Sequence, residues 1–153
     1  AAEITDRLLA ELKTEKYKFA RLNYANGDMV GHTGHRDAAV IAVECVDLEV
    51  GRLMRFVEKA KGILVVTADH GNADEMFDHN KDGSIAIDKA GKPKVKTSHT
   101  LNKVPYIIYA PGLDGLKLNP AVQKPGLGNV AATTFNLLGF KAPDDYMPSL
   151  IGF

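Results

Sequence analysis

No charge of either sign prevails in this chain, which carries 19 Lys plus Arg against 19 Asp plus Glu over 153 residues. Without a net field to draw in polyanions, neither nucleic acid nor an anionic membrane is expected as a partner. Cysteine occurs once, at Cys45, so the chain cannot build an internal disulfide framework. That excludes a disulfide scaffold of the secreted kind and fits a reducing compartment, which makes the cytoplasm the expected location. Cys45 falls within a helical pattern, where its ordinary role is that of a small apolar side chain. No apolar run approaches the roughly 18 to 20 residues that span a bilayer, and no basic-then-apolar leader opens the chain, so a soluble protein is expected. The first residues are Ala1-Ala2-Glu3 rather than methionine, which fits a chain that has been processed or cut from something longer.

Against those absences, 45% of the residues are hydrophobic and 14 are glycine, enough for one globular domain with a core, or part of one. Ile63 to Asp74, ILVVTADHGNAD, organises the rest. Ile63, Leu64, Val65 and Val66 are apolar without alternation, the pattern of a strand covered on both faces, and Gly62 and Gly71 punctuate its ends. The run stops in Asp69-His70, so a carboxylate and an imidazole are expected at the end of a strand, where open α/β sheets bind ligands.

The remaining chain repeats this grammar. Ile4 to Leu12 has apolar residues at 4, 8, 9 and 12, the stripe of an amphipathic helix. Tyr17 to Tyr24 reads as an imperfectly alternating strand that runs into a glycine-rich loop, Ala25 to Gly34, holding Asp28 and His32. Arg36 to Lys59 is the longest expected helix, with its apolar stripe at 39, 43, 46, 50, 53 and 57 and its charged residues, Glu49 and Arg52 among them, assigned to solvated faces. Between Asp78 and Lys96 the turn sequences DGS and KAGK flank the alternating SIAID, the signature of a surface hairpin. Val104 to Ala110 is a further strand, and Asn129 to Leu138 a helix with Asn129 as N-cap and Gly139 as its stop. Helices alternating with apolar strands argue an α/β layered fold.

Asp28, His32, Asp69, His70 and His99 thus all sit just after expected strands or in adjoining loops. Mixed carboxylate and imidazole donors suit manganese, zinc, cobalt or iron better than calcium, and five protein ligands exceed what one catalytic ion uses while keeping an open position. Two ions about 4 Å apart form the usual clamp for phosphoryl transfer. On residue types alone, scattered polar loop residues are the competing reading. His35 and His79 are assigned to ordinary polar surface.

Three motifs taken together carry a family resemblance: NYANGDMVGHTG (Asn23 to Gly34), TADHGNAD (Thr67 to Asp74) and TSHT (Thr97 to Thr100). In this order, and with VPYIIYAPG and GLGNVAATTFNLLGFKAPDDYMPSL behind them, they resemble the C-terminal metal-binding part of the cofactor-independent phosphoglycerate mutases, of the alkaline phosphatase superfamily. The resemblance covers essentially the whole chain. It implies an α/β fold of three-layer α/β/α sandwich type with a mostly parallel sheet, here incomplete, residues 1 to 153 being the C-terminal portion of the metal-binding phosphatase domain. It implies Asp28, His32 and His99 as ligands of one manganese ion and Asp69 and His70 as two ligands of the other, with zinc, cobalt or magnesium as possible substitutes. The serine nucleophile, a further Asp ligand and the inserted phosphotransferase domain belong, by the same resemblance, to the remainder of the polypeptide. Ser84, Ser98 and Ser149 lie in no matching context. Asn72 and Asp74 are candidates for supporting hydrogen bonds behind the ligands.

The reaction implied is the interconversion of 3-phosphoglycerate and 2-phosphoglycerate through a phosphoserine, in glycolysis and gluconeogenesis, with phosphoglycerate as the small-molecule partner and the isolated chain inactive. A phosphopentomutase or metal-dependent phosphohydrolase of the same superfamily is one alternative. A non-catalytic metal-binding fragment is another.

Overall fold

In the computed structural model, which describes residues 1 to 152, helices and short strands alternate along the chain. The elements are α1 (Ala2–Leu12), α2 (Asn26–Gly31), α3 (Arg36–Ala60), β1 (Leu64–Thr67), β2 (Tyr106–Tyr109), β3 (Lys117–Leu118), α4 (Val130–Leu137, entered through a 3₁₀ turn at Leu127–Asn129) and β4 (Ile151–Gly152). β1 pairs with β2, and β3 with β4. Two compact units are distinguished: the first holds Ala1–Phe56 and Val65–Ile107, the second Val57–Leu64 and the residues from Ile108 onward. Among the described residues no helix is long and apolar enough to cross a membrane.

In the first unit α1 is anchored by a polar contact, since Thr5 is fully buried and its hydroxyl lies 2.6 Å from the Tyr24 hydroxyl. The expected apolar stripe of α1 is only part-covered, Ile4 being exposed and Leu8, Leu9 and Leu12 intermediate. α3 follows the expected span closely, and Ala39, Ala42 and Leu53 face inward from it. One assignment on this helix is corrected: Glu49 does not lie on a solvated face but is 7% exposed. Its carboxylate accepts from the Arg52 guanidinium at 2.8 Å, which also binds Asp6 on α1. A buried carboxylate requires such a partner. Those two carboxylates hold the Arg52 pKa above its ordinary value, the Asp6 hydrogen bond contributing most.

α3 ends by a local device that turns the chain toward β1. Lys61 adopts a left-handed φ of 52°, the Gly62 amide donates to Val57 O at 2.9 Å and the Lys61 amide to Glu58 O at 3.3 Å. This pair of bonds is the Schellman closure, here with lysine where glycine is usual.

The Tyr17 to Tyr24 segment does not form a strand. Among the described residues no ladder reaches it, and Tyr17 and Phe19 are 55% and 56% exposed. An extended segment becomes a strand only where a neighbour supplies the hydrogen bonds, and imperfect alternation cannot specify that neighbour. The polar arm between Phe77 and Val95 is a meander of three limbs, with antiparallel bridges Phe77–Val95, His79–Ile85 and Ile87–Pro93. DGS and KAGK supply its two turns.

In the second unit β3 and β4 run antiparallel with Lys117 opposite Gly152 and Leu118 opposite Ile151. Asn129 is fully buried but does not cap α4 through its side chain as expected. Its Oδ1 accepts from the Gly126 amide at 2.9 Å and its amide donates to Pro148 O at 2.7 Å. The Thr133 hydroxyl in turn donates to Asn129 O and accepts from the Leu150 amide, so buried polar groups tie the closing segment to α4. Gly139, at φ 82°, closes α4 with the same two-bond device as α3.

Candidate metal centre

Asp28 and His32 do not lie in an irregular loop as expected from the glycine content. They sit on α2 and at its C-cap, four positions apart, which places both on one face of a helical turn. The His32 Nε2 to Asp28 Oδ1 distance is 3.3 Å. Two glycines inside a six-residue helix weaken the propensity signal, yet the spacing of four was itself the legible sign of a turn.

Asp69, His70 and Asn72 follow β1, and His99 arrives on the segment after the polar arm. A bridge between Gly71 and Thr100 joins these two stretches, with the Thr100 amide donating to Gly71 O at 2.9 Å. His99 Nε2 comes to 3.1 Å from the same Asp28 Oδ1 that His32 approaches. The rings of His70 and His99 stack, centroids 3.6 Å apart and planes at 10°, while His32 and His99 are tilted at 5.3 Å. Asp69 stands further out, more exposed than the rest, 3.6 Å from His70 Nε2.

Four of the five sequence-derived candidates, Asp28, His32, His70 and His99, therefore gather in one place, and Asp69 is joined to them only through its neighbour His70. One set of three, Asp28, His70 and His99, has ligating atoms that all lie within 4.8 Å of one another. This set crosses the division into Asp28, His32, His99 and Asp69, His70 that the resemblance implies.

The chemistry of the donor set fits a divalent cation. The Asn72 amide nitrogen is 2.9 Å from Asp28 Oδ1 and 3.0 Å from His32 Nε2. Both atoms thus converge on one amide nitrogen, and with His32 in the tautomer that leaves Nε2 unprotonated the amide satisfies the same lone pairs that a cation would use. Close packing keeps Asn72 there: a Cβ on Gly31 would stand 2.0 Å from Asn72 Oδ1, so α2 must carry glycine where it meets the loop.

Asp74 was among the expected supporting residues, but its partners, and the part Glu75 plays beside it, escaped sequence reading. Thr100 and Asn102 both donate to Asp74 Oδ2, at 3.1 and 2.8 Å, and Asn102 also reaches Glu75 Oε2 at 3.1 Å. Lys96 Nζ binds Glu75 Oε1. Partial burial works against the charged form of Asp74, but hydrogen bonds from Asn102 and Thr100 outweigh it and hold the pKa low. Lys96 first, then Asn102, hold the Glu75 carboxyl down at about 2. Only the polarity of NADE and of TSHTLN hinted at these pairs, because each joins residues far apart in sequence.

Comparison with known proteins places this geometry in context. A family model described as the Metalloenzyme superfamily matches residues 1–142. The chain is 49% identical over 152 residues to 2,3-bisphosphoglycerate-independent phosphoglycerate mutase 1 of Arabidopsis thaliana, covering 99% of this chain and 27% of that protein. It is 50% identical over 148 residues to a probable enzyme of the same name from Leptospira interrogans, covering 97% of this chain and 27% of the relative. A crystal structure of Leishmania mexicana phosphoglycerate mutase at low cobalt concentration superposes with a TM-score of 0.92 at 45% identity, over 99% of this chain and 28% of that one. The chain thus spans about a quarter of the length of the curated relatives it matches.

Proposed function

The chain belongs to the Metalloenzyme superfamily, and from that premise we propose that it is the metal-holding C-terminal portion of the phosphatase domain of a 2,3-bisphosphoglycerate-independent phosphoglycerate mutase. The observation that carries this reading is the convergence of His32 and His99 on one oxygen of Asp28, with His70 stacked on His99. Identity of 45% or more to the mutases of several organisms supports the substrate class, 3-phosphoglycerate and 2-phosphoglycerate in glycolysis. The cytoplasm is the proposed location, on the single cysteine.

Asp28, His32 and His99 would hold one divalent ion, which we take to be manganese, and Asp69 and His70 part of a second. When bound, such ions neutralise charge on a transferring phosphoryl group and lower the pKa of a nucleophile. The chain's own residues do the arranging. Asp28 presents one oxygen to two imidazoles, α2 fixes the Asp28–His32 spacing, and Asn72 orients both. The serine nucleophile and the groups that grip phosphoglycerate lie, on this reading, in the part of the polypeptide outside these residues.

Titration of the chain with manganese, followed by calorimetry, should reveal one dominant site whose affinity falls as the pH is lowered, since imidazoles bind metal only when unprotonated. Two equally tight sites would overturn the division of ligands. A coupled assay for 2-phosphoglycerate formation should find no turnover by the chain alone, and turnover above a mock-purified control would show that it contains a nucleophile after all.

A further inference from the structure

The Gly71–Thr100 bridge does more than hold two segments together. Gly71 directly follows His70 and Thr100 directly follows His99, so the bridged pair lies one residue from each stacked imidazole. His70, Asn72 and His99 all turn toward Asp28, whereas the Thr100 hydroxyl turns to Asp74. Asp74 accepts from that hydroxyl at 3.1 Å and from Asn102 at 2.8 Å.

The fit there leaves no slack. A Cβ on Gly71 would meet Thr100 Oγ1 at 2.1 Å and the two Asp74 carboxylate oxygens at 2.6 and 2.9 Å. Asp74, Thr100 and the bare Gly71 backbone are thus packed as one block behind the histidine pair. The block is braced from outside by Asn102, which donates to Glu75 as well, and by the Lys96 amide, which donates to Met76 O at 2.9 Å.

We propose that Asp74 is a positioning residue: acting through Thr100, it fixes where His99 stands against His70 and Asp28, and so sets the affinity of the centre for a divalent cation. The proposal rests on the metal reading above. Thr100 is the residue after His99, so anchoring its side chain limits how far His99 can swing; the roughly 10- to 100-fold loss typical of a partner bonded to the ligand itself is the upper bound for this indirect effect. Acceptance of the Thr100 hydrogen bond is what matters here, more than the charge of Asp74. Asparagine, which keeps an oxygen in the same place, should therefore restore most of what alanine removes.

Two readouts test this on the 153-residue chain. In metal-free protein the ring protons of His70 and His99 should be shielded by their face-to-face stack, and Asp74→Ala should remove that shielding while leaving the Phe135 and Tyr146 ring signals unmoved. In a manganese titration Asp74→Ala should lower affinity by up to about 10-fold, the lower end for loss of a supporting partner, with Asp74→Asn recovering most of the loss. Asn102→Ala, at an exposed position, should move both readouts the same way by less, and it decides the matter if Asp74→Ala fails to fold. The proposal is overturned if Asp74→Ala keeps the histidine shifts and binds manganese as tightly as the unsubstituted chain. Should the unsubstituted chain take up no manganese, the metal reading fails separately, and the ring signals alone still decide whether Asp74 positions His99.

Discussion

His99 lies flat against His70, at 3.6 Å between ring centroids, while its Nε2 points to Asp28 Oδ1 at 3.1 Å, so one imidazole touches both His70 and Asp28. His70 has the stack but stands outside the Asp28–His32–His99 set. His99→Ala should therefore weaken the dominant manganese site by more than about 100-fold, the upper end of what losing a supporting partner does. His70→Ala should affect that site far less. Calorimetric titration of the two variants side by side checks this, and equal losses would favour Asp28, His70 and His99 as the true set.

Gly31→Ala should cost about 1 to 3 kcal/mol, because overpacking a tight contact forces its neighbours aside. The added Cβ would stand 2.0 Å from Asn72 Oδ1 and 3.2 Å from the Ala73 amide, and displacing Asn72 should lower manganese affinity as well. Gly27→Ala in the same helix meets nothing within 4 Å and should stabilise by up to about 1 kcal/mol through helix propensity. Urea denaturation of both variants reads the opposite signs.

Glu75 should matter to acid stability. Its carboxyl is held at about 2, against an ordinary 4.5, chiefly by Lys96 and then by Asn102. A depressed native pKa contributes stability that is complete above the ordinary value and is lost as the pH falls toward the native one. The stability gap between the parent chain and Glu75→Gln should accordingly be full near neutral pH and close between about 4.5 and about 2. Denaturant midpoints measured across that window test it, and a constant gap would show that Lys96 does not set the shift.

Asn129→Ala should destabilise the second unit by about 1 to 3 kcal/mol, the usual cost of leaving buried partners unsatisfied. The Gly126 amide and Pro148 O would both lose their bonds. Thermal denaturation provides the measurement, and the Phe135–Tyr146 edge contact at 5.8 Å offers a local spectroscopic reporter.

Long, strongly periodic stretches were readable in advance, and α3 spans Arg36–Ala60 where Arg36 to Lys59 was expected. Its charged residues were not, since nothing in the pattern says that Arg52 will reach across to Asp6 and draw Glu49 inside. Tyr17 to Tyr24 was misread because strand character is conferred by a neighbour, and α2 because glycine content argued more loudly than the Asp28–His32 spacing. Residue type and place were enough to single out Asp28, His32, Asp69, His70 and His99 as candidates. Their geometry, and above all the Asp74–Thr100 block behind them, depends on pairings between distant residues that no local pattern encodes.

The polar arm from Phe77 to Val95 has two ends of opposite temperament. At its root, Val95 presses so closely on Gly34, itself at φ 67°, that a Cβ there would come within 2.4 Å of the valine methyl. At its tips, Gly83 and Gly91 turn with nothing within 4 Å of where a Cβ would be. Lengthening a tip adds only the slowly growing entropy of a longer loop, whereas an extra residue at the root would lever the joint between α2 and α3 and carry His32 with it. Descent can therefore lengthen or shorten this arm at its tips without touching the centre. A fluorescent or affinity peptide spliced in after Gly83 would enjoy the same licence.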